Sequence, residues 1–141
     1  MKRILFLISG ILFLISCGAD KRQWEVIETI ELGTITPIGF AFQGDHIWIS
    51  DGDHNQIIEI DGKGNILNTI EDLERPMHLD FHKNTLYIPE FGSDQIVKIK
   101  DGQQSILELI DSLDAPAGIN VLHEEIAIAD FYNHRILYFN E

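Results

Sequence analysis

A period of about forty residues runs through most of this chain, and few folds can accommodate such a repeat. The pattern Pro-x-Gly or Pro-x-His recurs at Pro37-Ile38-Gly39, Pro76-Met77-His78 and Pro116-Ala117-Gly118, at spacings of 39 and 40 residues. An acid closes an apolar run at Asp51, Glu90 and Asp130, with the same spacings. Five residues after each acid stand Gln56, Gln95 and Arg135, followed by Ile57, Ile96 and Ile136. The apolar runs are of strand length and are separated by polar turns. A self-similar period of this size built from strands predicts the blades of a propeller.

The distribution of apolar residues favours blades over one flat sheet. The first two runs of each unit are apolar at consecutive positions: IGFAF (38–42) with IWIS (47–50), LDF (79–81) with LYIP (86–89), and GINV (118–121) with IAIA (126–129). Strands buried on both faces read this way, whereas half-exposed strands alternate. The third run admits Glu59 or Lys98, as expected nearer a rim. An outer strand is expected before each Pro, at Val26–Ile30, Ile66–Ile70 and Ile106–Ile110. Asp61-Gly62 and Asp101-Gly102 suit the turns that lead into the last two. The expectation is an all-β domain over residues 24–141, made of three four-stranded blades.

These residues carry a resemblance. Pro-x-Gly, an apolar run closed by Asp, then Asn-x-Arg-Ile resembles the NHL repeat, and Pro116, Gly118, Asp130, Asn133, Arg135 and Ile136 match it best. The first unit keeps Pro37, Gly39, Asp51 and Ile57. The second departs most, with His78 for Gly, Glu90 for Asp and Ser93 for Asn. The resemblance implies six-bladed, TolB-like propellers, which serve as enzymes, scaffolds and binding modules, so it implies a fold more than a function.

The N-terminus carries an address. Lys2 and Arg3 precede an apolar run over residues 4–16, shorter than the ~20 residues a spanning helix needs. It fits the core of a secretory signal. Leu14-Ile15-Ser16-Cys17 resembles the bacterial lipobox, in which the Cys becomes the lipid-bearing first residue of the mature protein. Residues 1–17 are therefore read as a lipoprotein signal peptide and residues 18–23 as a tether. Each buried acyl methylene adds about 0.8 kcal/mol, so two or three chains anchor stably. Such an anchor places the domain at the membrane of a bacterial cell envelope, and lipobox lipoproteins with propeller repeats are similar in plan. Cys17 is the only Cys, which excludes intrachain disulfides and thiolate metal clusters.

The formal net charge is -13. A surface this acidic repels phosphate backbones, so no nucleic-acid partner is expected. Three blades are fewer than the ~4–8 of closed propellers. Two arrangements answer this: a homodimer in which each chain's outer strand completes the partner's last blade, giving a six-bladed ring, or a truncated piece of a longer propeller.

In propellers the loops between second and third strands share one face with the crossings between blades. That face is expected to present Arg75, His78, Glu90, Phe91, Phe131 and Tyr132. Asp51, Glu90 and Asp130 read as turn-pinning acids that accept loop N–H groups, Glu90 with enough length to reach out of its loop. His78 takes a Gly position at the start of an innermost strand, facing a central channel. His78 and Glu90 are the candidate catalytic pair, able to act as acid and base or to ligate a divalent ion. The pair is faintly similar to that of the streptogramin B lyases, where His and Glu stand near magnesium. No other cofactor is expected. His46, His82 and His123 fall in three different columns of the repeat, and His54 and His134 read as solvated loop residues. No Ser-His-Asp order, phosphate loop or metalloprotease motif occurs.

Two main readings follow. One is a lipid-anchored binding module for a glycan, a peptide or a protein. The other is a metal-dependent lyase or hydrolase using His78 and Glu90. A propeller remnant without a site of its own is a third.

Overall fold

A computed structural model describes residues 23–140. The signal segment, Cys17 and most of the tether lie outside the described residues. Among those described there is no helix, and eleven strands form three antiparallel sheets in chain order. Sheet 1 contains β1 (Pro37–Gln43), β2 (His46–Asp51), β3 (Gln56–Ile60) and β4 (Ile66–Ile70). Sheet 2 contains β5 (Asp80–His82), β6 (Thr85–Glu90), β7 (Gln95–Lys100) and β8 (Gln103–Ile106). Sheet 3 contains β9 (Pro116–Leu122), β10 (Glu125–Asp130) and β11 (Arg135–Asn140). Each sheet is a simple meander.

The expected periodicity holds in the register. Asp51 pairs with Gln56, Glu90 with Gln95 and Asp130 with Arg135, so each tight loop joins the same two columns. Asn55, Asp94 and His134 close those loops in the left-handed region, at φ 58°, 60° and 53°.

Two expectations about outer strands are corrected. The twelfth strand, at Val26–Ile30, does not form, and sheet 3 has three strands rather than four. A strand exists only against a partner edge, and among the described residues no strand pairs with that stretch. The outer strand of sheet 2 runs over Gln103–Ile106 rather than Ile106–Ile110. Asp101 and Gly102, at φ 50° and 74°, make a two-residue turn of the kind that matches strand twist, so pairing resumes at once with Lys100 opposite Gln103. The Asp61 turn is longer: its Oδ1 accepts the N–H groups of Lys63 and Asn65 at 2.8 and 2.9 Å, and pairing resumes at Ile66.

The sheets stack face to face through their innermost strands. Between sheets 1 and 2, Trp48, Ile57, Leu79, Leu86 and Ile88 form one core cluster. Between sheets 2 and 3, Ile96 meets Ile119, Val121 and Ile128. A third cluster, Ile49, Ile58 and Ile60, lies on the far side of sheet 1 beneath Ile30, Leu32 and Ile35. Burying each such side chain contributes about 1.5–3 kcal/mol, so these inter-sheet layers hold the arc together. Along the inside, the His78 N–H donates to the Ala117 carbonyl at 3.3 Å and the Ile119 N–H to that of His78 at 3.2 Å, a parallel bridge between neighbouring sheets.

Candidate functional site

The crossings between sheets and the second-to-third-strand loops lie together, as expected. The Phe91 and Gly92 N–H groups donate to the carbonyls of Arg75 and Glu74 at 3.1 and 2.9 Å, and Tyr132 N–H donates to Asp114 at 3.1 Å. Side chains latch one sheet to the next: Asn55 Oδ1 accepts the Arg75 N–H at 3.0 Å, and Asp94 Oδ1 accepts that of Ala115 at 2.7 Å.

The three acids hold this face together from below. Asp130 is fully buried; it accepts the Asp114 N–H at 2.7 Å, Asn133 Nδ2 at 2.8 Å and Arg135 Nε at 2.7 Å. Arg135 continues to Asp111 and to the Ser112 carbonyl, at 2.9 and 2.8 Å, tying the crossing to the loop. Asp51 is equally buried and accepts from His54 Nδ1 at 2.8 Å and Gln56 Nε2 at 3.1 Å. Burial works to raise both carboxyl pKa values; for Asp51 the His54, Gln56 and Thr36 donors outweigh it, and for Asp130 those of Asp114, Asn133 and Arg135. Both end below the usual Asp value.

Glu90 does not reach out of its loop. It is buried, Oε1 accepting the Glu74 N–H at 3.0 Å and Oε2 the Ser93 hydroxyl at 2.6 Å. It does the work of the two Asp residues and makes no hydrogen bond to His78. The His78 ring is exposed and lies against Gly39, where a Cβ would fall 3.1 Å from Nδ1 and 2.7 Å from the His78 Cα. Glycine is thus needed at position 39, beside His78, whereas a Cβ at Gly118 would lie 3.5 Å from the His78 Cβ, an ordinary contact. Among the described residues no three His, Cys, Asp or Glu side chains converge as a metal centre would require. No hydrogen bond joins His78 to Glu90, whose two carboxylate oxygens are taken by the Glu74 N–H and the Ser93 hydroxyl.

What the structure does bring together is Arg75, Phe91, Phe131 and Tyr132. The Arg75 guanidinium stands 4.8 Å from the Phe91 ring centroid. Phe91 lies 6.0 Å from Phe131 and 5.5 Å from Tyr132, and those two are 5.2 Å apart, all tilted or edge-on. Phe131 and Tyr132 remain 55% exposed. The cluster is confined to sheets 2 and 3 because sheet 1 carries Gly52 in the aromatic column. A Cβ there would strike Ile38 Cδ1 at 2.3 Å. Of the six residues expected on this face, Glu90 is held inside its loop, and that Arg75, Phe91, Phe131 and Tyr132 touch was not legible in the sequence. A cleft of about 500 Å³ between sheets 1 and 2 was also missed. It opens on the opposite face, beside Trp48 and Phe81.

No protein-family model matches the chain, and no curated protein does. Solved structures do match. A streptogramin B lyase is 19% identical with a TM-score of 0.55, over 74% of this chain and 40% of its own. Glutaminyl cyclase of Myxococcus xanthus is 11% identical with a TM-score of 0.60, over 77% and 50%. The RRP9 WD40 repeats are 16% identical with a TM-score of 0.52, over 74% and 36%. The sheets, their meander order and their stacking are those of these proteins. The chain is built of β-propeller blades. It spans half or less of each of these propellers, and at such identities the likeness is one of fold. Sheets 1, 2 and 3 are blades 1, 2 and 3, and the Arg75–aromatic cluster sits on the loop face of blades 2 and 3.

Proposed function

We propose that this propeller segment is a binding module of the bacterial cell envelope, held by a lipid anchor at Cys17, whose loop face takes a peptide segment of a partner protein. The observation that carries the reading is the cluster of Arg75, Phe91, Phe131 and Tyr132. Arg and aromatic side chains dominate binding energy at protein interfaces, where their apolar bodies are desolvated. Here the Phe131 and Tyr132 rings stay more than half exposed, and the Arg75 guanidinium stacks on Phe91, which touches both. The rings meet tilted or edge-on and present no single flat platform, which suits the side chains of a peptide better than the face of a sugar.

Two of the neighbouring structures are enzymes by name. Their reactions are not carried over, because Glu90, the carboxylate that would work with His78, is engaged by the Glu74 N–H and by Ser93.

The binding reading is tested by probing peptide and glycan arrays with the full chain in detergent, alongside Phe131→Ala and Tyr132→Ala. Peptide ligands are expected to weaken at least about tenfold in each variant, since exposed anchors of this kind are worth more than ~1.4 kcal/mol. Peptide binding that ignores both substitutions would remove the site from this face, and binding confined to glycans would replace the ligand class. The anchor is tested by mass spectrometry of the N-terminal peptide from membrane fractions. A peptide that begins at Cys17 and carries acyl chains is expected; an unmodified Cys17 refutes it.

A further inference from the structure

We propose that the two open faces of this three-blade arc are filled by a second copy of the same chain, two copies closing one six-bladed ring. The inference does not depend on what the loop face binds.

The repeat supplies its own measure of what each face should touch. Ile57 and Ile96 occupy one column and are 0% and 1% exposed, because the next blade covers them. Ile136 occupies the same column in blade 3 and is 67% exposed. On the opposite side of each blade, Leu79 and Ile119 are 5% and 8% exposed under the preceding blade, while Phe40, their counterpart in blade 1, is 62% exposed. The open rear of blade 3 and the part of blade 1's front around Phe40, outside the patch that Ile30, Leu32 and Ile35 already cover, are the two halves of an interface that the chain already builds twice. An apolar face of this kind, unpaired, invites association.

Backbone pairing is incomplete at the same place. Blades 1 and 2 end in an outer strand, β4 or β8, whereas among the described residues the β11 edge of blade 3 has none. The stretch Val26–Ile30 precedes Pro37 much as Ile66–Ile70 precedes Pro76. It is unpaired, with Val26 and Ile27 at 85% and 98% exposure, and Ile30 rests on blade 1. Seating blade 1 of a second copy behind blade 3 carries that copy's Val26–Ile30 to the open β11 edge. The free edge and the free strand then satisfy one another.

Symmetry selects the occupant. Front against rear is a head-to-tail contact, which either closes a ring or runs on as a filament. Three blades per copy close at six under a two-fold axis, inside the ~4–8 range of known rings.

Native mass spectrometry of the full chain in detergent is expected to give twice the mass of one chain, and Ile136→Asp to raise the dissociation constant at least tenfold with an unchanged far-ultraviolet spectrum. In a Cys17→Ser background, Phe40→Cys combined with Ile136→Cys should be joined by a short bis-maleimide into a covalent dimer. Neither single substitution should be, because like residues sit at different seams. A monomer at all concentrations overturns the proposal, as does an intrachain cross-link. A ladder of trimers and larger species overturns ring closure, and a dimer indifferent to Ile136→Asp overturns the seam.

Discussion

Asp51, Glu90 and Asp130 each end the second strand of a blade, and each uses its carboxylate to hold the loops above it. That reading of the two Asp residues was available from the sequence, since a short acid at a strand end commonly caps the following turn. Glu90 was misjudged because its length was considered alone. Three residues on, Ser93 replaces the longer Asn133 of blade 3, so the shorter donor and the longer acceptor span the same gap, 2.6 against 2.8 Å. The aromatic cluster was harder to foresee, because Phe91, Phe131 and Tyr132 come from two blades and meet only when those blades stack. A test at this scale is Asp130→Asn, which removes the charge from a buried acceptor of three hydrogen bonds. It should cost about 1–3 kcal/mol at neutral pH in urea denaturation. The pKa of Asp130 is lowered on folding, so its contribution is complete above the ordinary Asp value and is lost as pH falls through the lowered one. The wild type should therefore lose stability below about pH 4, and Asp130→Asn should show a shallower fall there.

The strands themselves were mostly legible, because two-faced apolar runs, Asp-Gly turns and a fixed period all point to the same elements. Both misses fall on outer strands, where local sequence decides least. Ile106–Ile110 is as apolar as β4, yet the two-residue turn at Asp101-Gly102 sets the register first and draws the strand toward its own hairpin. Val26–Ile30 has the composition of a strand and lacks an edge to pair with, which no pattern within the stretch could reveal. Burial ranks the strands by energy as well. Ile57→Ala and Ile96→Ala empty equivalent sealed positions, at 0% and 1% exposure, and should each cost about 2–5 kcal/mol. Ile66→Ala, on an outer strand at 59% exposure, should stay within about 0.5 kcal/mol. Equal costs at all three would mean that the blades do not stack as described.

The described residues form an arc whose middle blade is covered by a blade on both sides and whose end blades each have one neighbouring blade, the far side of blade 1 being partly covered by Ile30, Leu32 and Ile35. The fold class was therefore readable from one chain's repeat, while the state of the ends was not, because it depends on neighbours outside the period. On the loop face blades 2 and 3 contribute aromatics, whereas blade 1 carries Gly52, where a Cβ would lie 2.3 Å from Ile38 Cδ1 and 3.0 Å from the Pro76 carbonyl oxygen. One further consequence follows from the register. Each period brings its own acid clamp, its own hairpins and both stacking faces, so copying one period in the gene lengthens the arc by a blade that already fits its neighbours. Evolution can thus enlarge such a protein in whole steps of 39 or 40 codons, with no new interface to be invented at the join.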